Sequence, residues 1–478
     1  MIPKIVLVSA MLVSVSALLS SAAYAAVVTI SEDRMLLVDG KRTFLLGLYG
    51  NPEQDPVLKQ VADAGFSLVY ATPETAALDR LQRHGLHAWL NTGSSIDLSD
   101  DRAAREGQLR TMVDKFAGHP ALLAWEVPDE ALWNAWYGPI QLRYEQEPAL
   151  QREKIAALSD ASLADQLRAQ RAEADRLLKR GEFREAEQAA DAIWRKVGMD
   201  PPMRGQNPSE SYEKSLTLCK GMSEGYALLK QLDANHPIWM NYAPRNNLDD
   251  LSRFAAAADV VGCDIYPVPE YVGGHSDLMD RSLSSVGAYT TIMQQSATSK
   301  PVWMVLQGFG WADLDKNASE DSRKKKPRPT FEESRFMAYD AIVHGARGIL
   351  YWGTAYIEKD SPLWSNLLKL VRELADLQPV LSARDAPAQP DLRLEPFEGS
   401  GQYGIRVLAK QLDDASVWYL IVNECSGPRR YSLSNVAAAN GTVYHDPVDN
   451  RTAAVTEGKL SLSIAGHGVQ ILRPRVPS

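Results

Sequence analysis

From residue 44 to residue 354 the chain repeats one alternation, a short apolar run followed by an amphipathic stretch. The runs are FLLGLYG (44–50), FSLVYATPE (66–74), LHAWLNTG (86–93), ALLAWEVPDE (121–130), PIWMNYAP (237–244), DVVGCDIYPV (259–268), PVWMVLQGFGW (301–311) and GILYWGT (348–354). Between them lie segments of helical spacing such as DPVLKQVADAG and ESRFMAYDAIVHGA, each closing on a Gly that suits a helix C-cap. Short continuous apolar runs separated by helices predict strands buried on both faces of a parallel sheet. Eight such runs close a (β/α)8 barrel, and the barrel is assigned residues 26–381. The rival doubly wound sheet lacks support, because no G-x-G-x-x-G follows the first run.

Four stretches depart from the alternation. Residues 27–43 alternate as a short hairpin, VVTI then MLLVDGKRT, with Asp39-Gly40 at the turn. Between Trp133 and about Pro208 lie some 70 residues where a few would serve. That stretch, about 134–208, is rich in Ala, Leu, Glu and Arg and predicts a helical hairpin turning at Gly181. Inserted after the fourth strand, it belongs over the C-terminal mouth of a barrel, as a wall of the cleft, a decoration or a contact for a homo-oligomer. Residues 382–396 form a Pro-rich linker. From 397 to 478 the period changes to two, which predicts an all-β sandwich. Trp418 and Tyr419, within SVWYLIV, are assigned to its core.

The first residues, MIPKIVLVSAMLVSVSALLSSAAYAA, carry one Lys, an apolar run and Ala23-Tyr24-Ala25. This is the pattern of a secretory signal peptide over 1–25, which predicts an exported, periplasmic or extracellular protein. No Cys lies near the cleavage point for a lipid anchor, and no later segment suits a membrane span. The net charge of −9 with scattered bases points away from nucleic acid. Cys219, Cys263 and Cys425 have neither metal-ligand spacing nor a disulfide framework. His87 and His236 border strands and are assigned structural roles, and no metal or cofactor is expected.

In a barrel the C-terminal strand ends face the site. Those ends supply Tyr49, Glu74, Asn91, Glu126, Asp129, Glu130, Asn241, Tyr242, Asp264, Tyr266, Gln307, Trp311 and Trp352. Carboxylates, amides and aromatics together suit a carbohydrate, because aromatic faces cover C–H surfaces while amides and acids bind hydroxyls. Adjacent acids in a partly dry site raise one carboxyl's pKa, which a general acid requires. Glu126 is an even number of residues from Glu130, so both can face the barrel interior.

The ordered set VDGKRTFLLGLYG, LLAWEVPDE, DVVGCDIYP, PVWMVLQGFGW and GARGILYWG, followed by a β-domain, resembles the glycoside hydrolases of clan A. The resemblance implies a glycosidase without a cofactor. Its general acid/base, the Glu of an Asn-Glu pair ending strand four, falls on Glu130. The neighbouring position, which binds a sugar hydroxyl, falls on Asp129. The clan's nucleophile, a Glu ending strand seven, falls on Gln307, and an amide cannot form a glycosyl-enzyme ester.

Three routes answer that departure. Another carboxylate (Asp264, Glu126, Glu332 or Glu333) can take the role, although Thr330 and Glu333 read first as a capping box. Glu130 and Asp264 can act as the separated acid and base of an inverting enzyme. Finally, Asp129-Glu130 resembles the Asp-Glu pair of hexosaminidases that use the substrate's 2-acetamido group as nucleophile. The expected function is glycosidic bond cleavage; the alternatives are a non-catalytic glycan-binding protein on a decayed barrel and a scaffold built on the hairpin and β-domain.

Overall fold

The computed structural model describes residues 25–203, 205–271, 281–394, 404–448 and 450–475. The signal-peptide segment therefore lies outside the described residues, apart from Ala25. The chain opens with a three-stranded antiparallel meander, β1 (Val28–Ile30), β2 (Leu36–Val38) and β3 (Lys41–Thr43). Asp39 and Gly40 turn between β2 and β3 with φ of 49° and 79°, the left-handed pair that a tight hairpin needs.

All eight apolar runs form strands: β4 (Leu45–Tyr49), β5 (Leu68–Tyr70), β6 (His87–Asn91), β7 (Leu122–Glu126), β8 (Ile238–Tyr242), β9 (Val260–Ile265), β10 (Val302–Gln307) and β11 (Gly348–Trp352). They pair in parallel and close into a barrel, β11 returning to β4. Alternation then sorts the side chains. Leu45, Leu68, Trp89, Trp239, Val260, Trp303, Val305 and Leu350 pack together inside the barrel. Their strand neighbours, such as Leu46, Val69, Leu90, Met240 and Val261, face the helices. Three indoles fill the interior, Trp239 lying 6.1 Å from Trp89 and 5.7 Å from Trp303. Gly262 makes room for them: a Cβ there would stand 2.0 Å from the Trp303 carbonyl oxygen. The floor beneath the mouth is thus a packed aromatic layer.

After β7 comes the insertion. Helix α1 (Ala131–Ile140) continues through a π-helical stretch, Gln141–Gln146, into α2 (Glu147–Ala156). The predicted hairpin follows as α3 (Ala161–Lys179) and α4 (Phe183–Lys196), turning at Gly181 with φ of 77°. The stem α1–α2 was not legible as helix because Gly138, Pro139 and Pro148 interrupt its pattern. Pro139 has no N–H to donate, and the widened turn follows directly after it. A polar network holds the insertion together. Arg143 donates to Glu147 at 2.8 Å and to Asp191 at 2.9 Å, and Trp194 Nε1 donates to Glu147 at 2.8 Å.

The C-terminal domain holds two antiparallel sheets. One orders Arg384–Asp385, Ile405–Gln411, Val417–Asn423, Val469–Pro474, Val443–His445 and Thr452–Ala454; the other orders Asp391–Leu394, Arg429–Ser434 and Lys459–Ile464. The stretch read as a linker therefore contributes two edge strands rather than a free connection. The strand Val417–Asn423 is buried on both faces. Tyr419 and Ile421 enter the sandwich core, while Leu420 and Val422 join the barrel's outer core across α5 (Phe331–Val343). Trp418 is half-buried and also packs on the barrel side. Arg347 and Lys410 both pair with Asp385 at 2.8 Å across the same seam. Among the described residues no helix is long and apolar enough to cross a membrane.

Candidate active site

The end of β7 is built by an interruption. Trp125 N donates to Pro237 O, and Val127 N donates to Trp239 O. The next bond of that ladder is Glu130 N to Asn241 O at 3.2 Å, so Pro128 and Asp129 bulge out. Pro128 has no N–H for the ladder. Glu130 takes φ of 50°, uncommon for a residue with a Cβ, and opens α1 without its side chain capping the helix. The bulge leaves Glu126 inside the barrel and turns Asp129 and Glu130 into the mouth.

Four carboxyls are joined there, two of the links made by Tyr49 and Asn241 and the third a direct bond between acids. Glu126, almost wholly buried, accepts from Tyr49 Oη at 2.5 Å, Asn91 Nδ2 at 2.8 Å and Trp89 Nε1 at 3.1 Å. Tyr49 also bonds to Asp129. Asn241 Nδ2 donates to Asp129 at 3.0 Å and lies 3.5 Å from Asp264 Oδ1. Asp264 in turn hydrogen-bonds to Glu130 and to Tyr266. A continuous path, Glu126–Tyr49–Asp129–Asn241–Asp264–Glu130, thus runs across the mouth.

Burial sets the protonation along this path. It pushes Glu126 up to about 8, with the Asp129 charge adding and the three donors opposing. Burial followed by the Asp129 charge pushes Glu130 up to about 7. Asp264, buried and facing Glu130 and Asp129, is held well above the usual carboxylate range. The hydrogen-bonded Glu130–Asp264 pair therefore holds a shared proton at neutral pH. Asp129 is open to solvent at the rim, yet the protein wall around it raises its carboxyl against the bonds from Asn241 and Tyr49; contact with solvent tempers that rise.

An aromatic wall stands beside the acids. Tyr266 stacks on Trp352 at 5.5 Å between ring centres, and Phe309 meets both rings edge-on. Trp311 closes the group against Tyr266 at 6.2 Å and Phe309 at 5.3 Å. Phe309 was missed in the sequence because it lies two residues beyond the end of β10.

The fold thus brings Tyr49, Asn91, Glu126, Asp129, Glu130, Asn241, Asp264, Tyr266, Trp311 and Trp352 to one end of the barrel. Two expected residues are corrected. Tyr242 faces outward, because Asn241 takes the inward position on β8; its hydroxyl donates to Leu251 O at 3.2 Å among the surrounding helices. Gln307 points inward but has no free amide. Its Oε1 accepts from Val268 N at 2.9 Å, and its Nε2 donates to Val268 O at 2.8 Å and Phe309 O at 3.0 Å. It fixes the loop after β9 and offers nothing to a sugar.

The separated acid and base expected of Glu130 and Asp264 is also corrected. Two hydrogen-bonded carboxyls lie far closer than the roughly 6.5–9.5 Å that an inverting pair spans around a water. Glu74 is exposed at a helix start, and Glu333 forms the capping box with Thr330. His236 pairs with Asp233 at 2.7 Å as a buried structural contact. Away from the mouth, Asp340, His344 and Glu424 converge with their ligand atoms within 4.8 Å, a grouping no sequence spacing announced. His344 there already bonds to Glu424 and to Thr291, each at 2.8 Å.

No protein-family model matches the chain. No curated protein sequence matches it either. Solved structures do match. A β-galactosidase from Bacillus circulans sp. alkalophilus superposes with a TM-score of 0.51 at 10% identity, over 91% of this chain and 99% of that one. A family 5 glycoside hydrolase from Bacteroides vulgatus gives 0.52 at 12% identity, over 94% and 92%. A family 42 β-galactosidase from G. stearothermophilus gives 0.50 at 9% identity, over 91% and 98%. At these identities the likeness is one of fold alone: a closed parallel barrel followed by a β-domain.

Proposed function

We propose that this protein is an exported glycoside hydrolase acting on an oligo- or polysaccharide, with Glu130 as its general acid. The observation that carries the reading is the hydrogen-bonded pair at the mouth, Glu130 raised to about 7 beside an Asp264 that burial holds well above the usual carboxylate range. A carboxyl near 7 holds its proton at working pH and still gives it up readily.

The partner acid follows from the positions of the others. Glu126 is buried under Tyr49 and committed to three donors. Asp264 is paired with Glu130, and Gln307 cannot be a nucleophile. Asp129, solvent-open and fixed by Asn241 and Tyr49, is the carboxylate left beside Glu130. This favours a substrate-assisted route. Glu130 gives its proton to the glycosidic oxygen as that oxygen's bond to the anomeric carbon breaks. The substrate's own 2-acetamido oxygen bonds to the anomeric carbon, and Asp129 orients the acetamido N–H and balances its charge. Water then attacks the same carbon, Glu130 takes its proton, and the acetamido group is released. Trp352, backed by the buried Tyr266, covers the C–H face of the sugar.

The competing reading is a glycan-binding barrel without turnover. It is favoured by Gln307, whose bonded amide occupies the strand-seven position. The test is a hydrolysis screen of the mature protein on aryl glycosides and oligosaccharides, with and without a 2-acetamido group. Wild type is compared with Glu130→Gln, and product anomers are followed by NMR. Turnover that retains configuration, needs the acetamido group and is lost in Glu130→Gln is the expected result. Binding without turnover, unchanged in the variant, leaves the glycan-binding barrel.

A further inference from the structure

We infer that Trp133 and Tyr137 form a second sugar subsite, which takes the leaving-group residue of an oligosaccharide and makes the helical insertion part of the substrate cleft. The inference rests on the reading above only for the direction in which the substrate leaves Glu130.

Glu130 is the N-cap of α1, and Trp133 and Tyr137, three and seven residues further on, share one face of the two turns that follow it. The opposite face packs inward through Ala131, Leu132 and Pro139. Trp136 also lies on that inner side, against the barrel's outer core. Trp133 and Tyr137 belong to no apolar cluster among the described residues; they stack on each other, ring centres 4.7 Å apart and planes 14° apart. Both are partly exposed. Each ring therefore has one face covered by its partner, and the pair forms a flat aromatic surface instead of core.

Its position gives that surface an occupant. At about 1.5 Å of rise per residue, the pair lies roughly 4–10 Å along the helix from Glu130. The group that protonates a leaving oxygen faces the residue carrying that oxygen. At the strand ends Trp352, stacked on the buried Tyr266, supplies a face for the first sugar. A pyranoside ring beyond the scissile bond would meet Trp133 and Tyr137, whose rings offer the flat apolar surface that sugar C–H faces pack on. α1 runs without a break through the π turn into the rest of the insertion, which gives the platform a rigid backing. The substrate class follows: a chain with at least one sugar on the leaving side, in preference to a simple glycoside.

The experiment compares wild type with Trp133→Ala and Trp133→Phe in the full chain, each checked for folding by circular dichroism. Two substrates of the same sugar are used, an oligosaccharide and the glycosyl fluoride, whose leaving group is too small to reach the platform. The expected result is a fall of about tenfold or more in kcat/KM on the oligosaccharide for Trp133→Ala, with the fluoride within about twofold and Trp133→Phe partly restored. Equal losses on both substrates, or none on either, overturn the subsite. Calorimetric binding of the oligosaccharide in a Glu130→Gln background separates the two readings. Binding weakened by Trp133→Ala without turnover in wild type sinks the hydrolase and keeps the platform. Binding indifferent to Trp133, or no binding at all, removes the platform.

Discussion

Tyr49 directs its phenolic oxygen at two acids, sitting 2.5 Å from Glu126 Oε1 while also bonding to Asp129. A phenol has one hydrogen, so the two acids cannot both be served as bare carboxylates. The raised carboxyls of Glu126 and Asp129 answer the same constraint, since a proton on either supplies the second hydrogen. Tyr49→Phe removes the link and leaves a buried acceptor short of a donor. We expect a cost of about 1–3 kcal/mol in unfolding free energy. The cost should be larger at pH 9 than at pH 6, because the bond to an ionised carboxylate is charge-assisted. Urea denaturation at both pH values checks this; an equal cost at both would mean that Glu126 does not titrate in that range.

The same burial makes stability depend on pH in a set direction. The Glu126 carboxyl moves from an ordinary 4.5 to about 8 in the folded protein. Between those values the folded state holds a proton that the unfolded chain has released, so stability falls as pH rises. The contribution is complete below about 4.5 and lost through about 8. Glu130 and Asp264 are shifted in the same direction and add to the slope. Melting temperature should therefore decline from pH 5 to pH 8. Glu126→Gln should flatten the decline, since its amide oxygen can still accept from Trp89 and Asn91 while its N–H2 turns to Tyr49. A wild-type melting temperature that rises across that window would contradict the burial assigned to these acids.

The eight strands were legible because each is a short apolar run bounded by turn residues, a signal set by burial on both faces. Strand ends alone could not show which way a side chain points. Asn241 and Tyr242 are adjacent, and only the register of β8 sends the first inward and the second into the helix layer. Gln307 was placed on the correct face, but two of its three hydrogen bonds go to Val268, on a loop 39 residues earlier in the chain, a contact no local pattern encodes. The reverse holds for Trp133 and Tyr137. Their spacing from Glu130 was present in the sequence, yet they belonged to a stretch whose prolines hid the helix. Asp264 was paired with Glu130 as a separated acid and base but not as its hydrogen-bond partner, because the bulge at Pro128-Asp129 that aims Glu130 becomes visible only through the ladder with β8.

Activity should follow the proton on Glu130. As general acid it must be protonated in the free enzyme, so kcat/KM should fall as pH rises through about 7. Glu130→Gln should lose roughly 10²–10⁴-fold on substrates with poor leaving groups. Asp264 sets where the limb lies, because its hydrogen bond lowers the Glu130 carboxyl. Asp264→Ala removes that donor and should move the limb to higher pH, whereas Asp264→Asn can still donate and should leave it nearer 7. A limb that stays in place in both variants would place the titrating group elsewhere. The pH–rate profile of the three proteins on one oligosaccharide decides it.

Gln307→Glu looks, by position on the barrel, like the restoration of a nucleophile. The surrounding geometry predicts otherwise. Nε2 of Gln307 donates to two carbonyl oxygens, those of Val268 and Phe309, at 2.8 and 3.0 Å. A carboxylate in that place would set an anion against two buried acceptors, with only Val268 N left as a donor. Gln307 is wholly buried, so water cannot relieve the contact without opening the loop. We expect the variant to lose about 1–3 kcal/mol of stability and to gain no glycosyl-enzyme intermediate. It should recover stability as pH falls and the new carboxyl takes up a proton, which lets one oxygen donate again. Denaturation at pH 5 and pH 8 measures the first effect. Mass spectrometry after exposure to a 2-fluoro glycosyl donor measures the second: an adduct trapped on the introduced carboxylate would show that the loop yields, and that the strand-seven position can still host the chemistry.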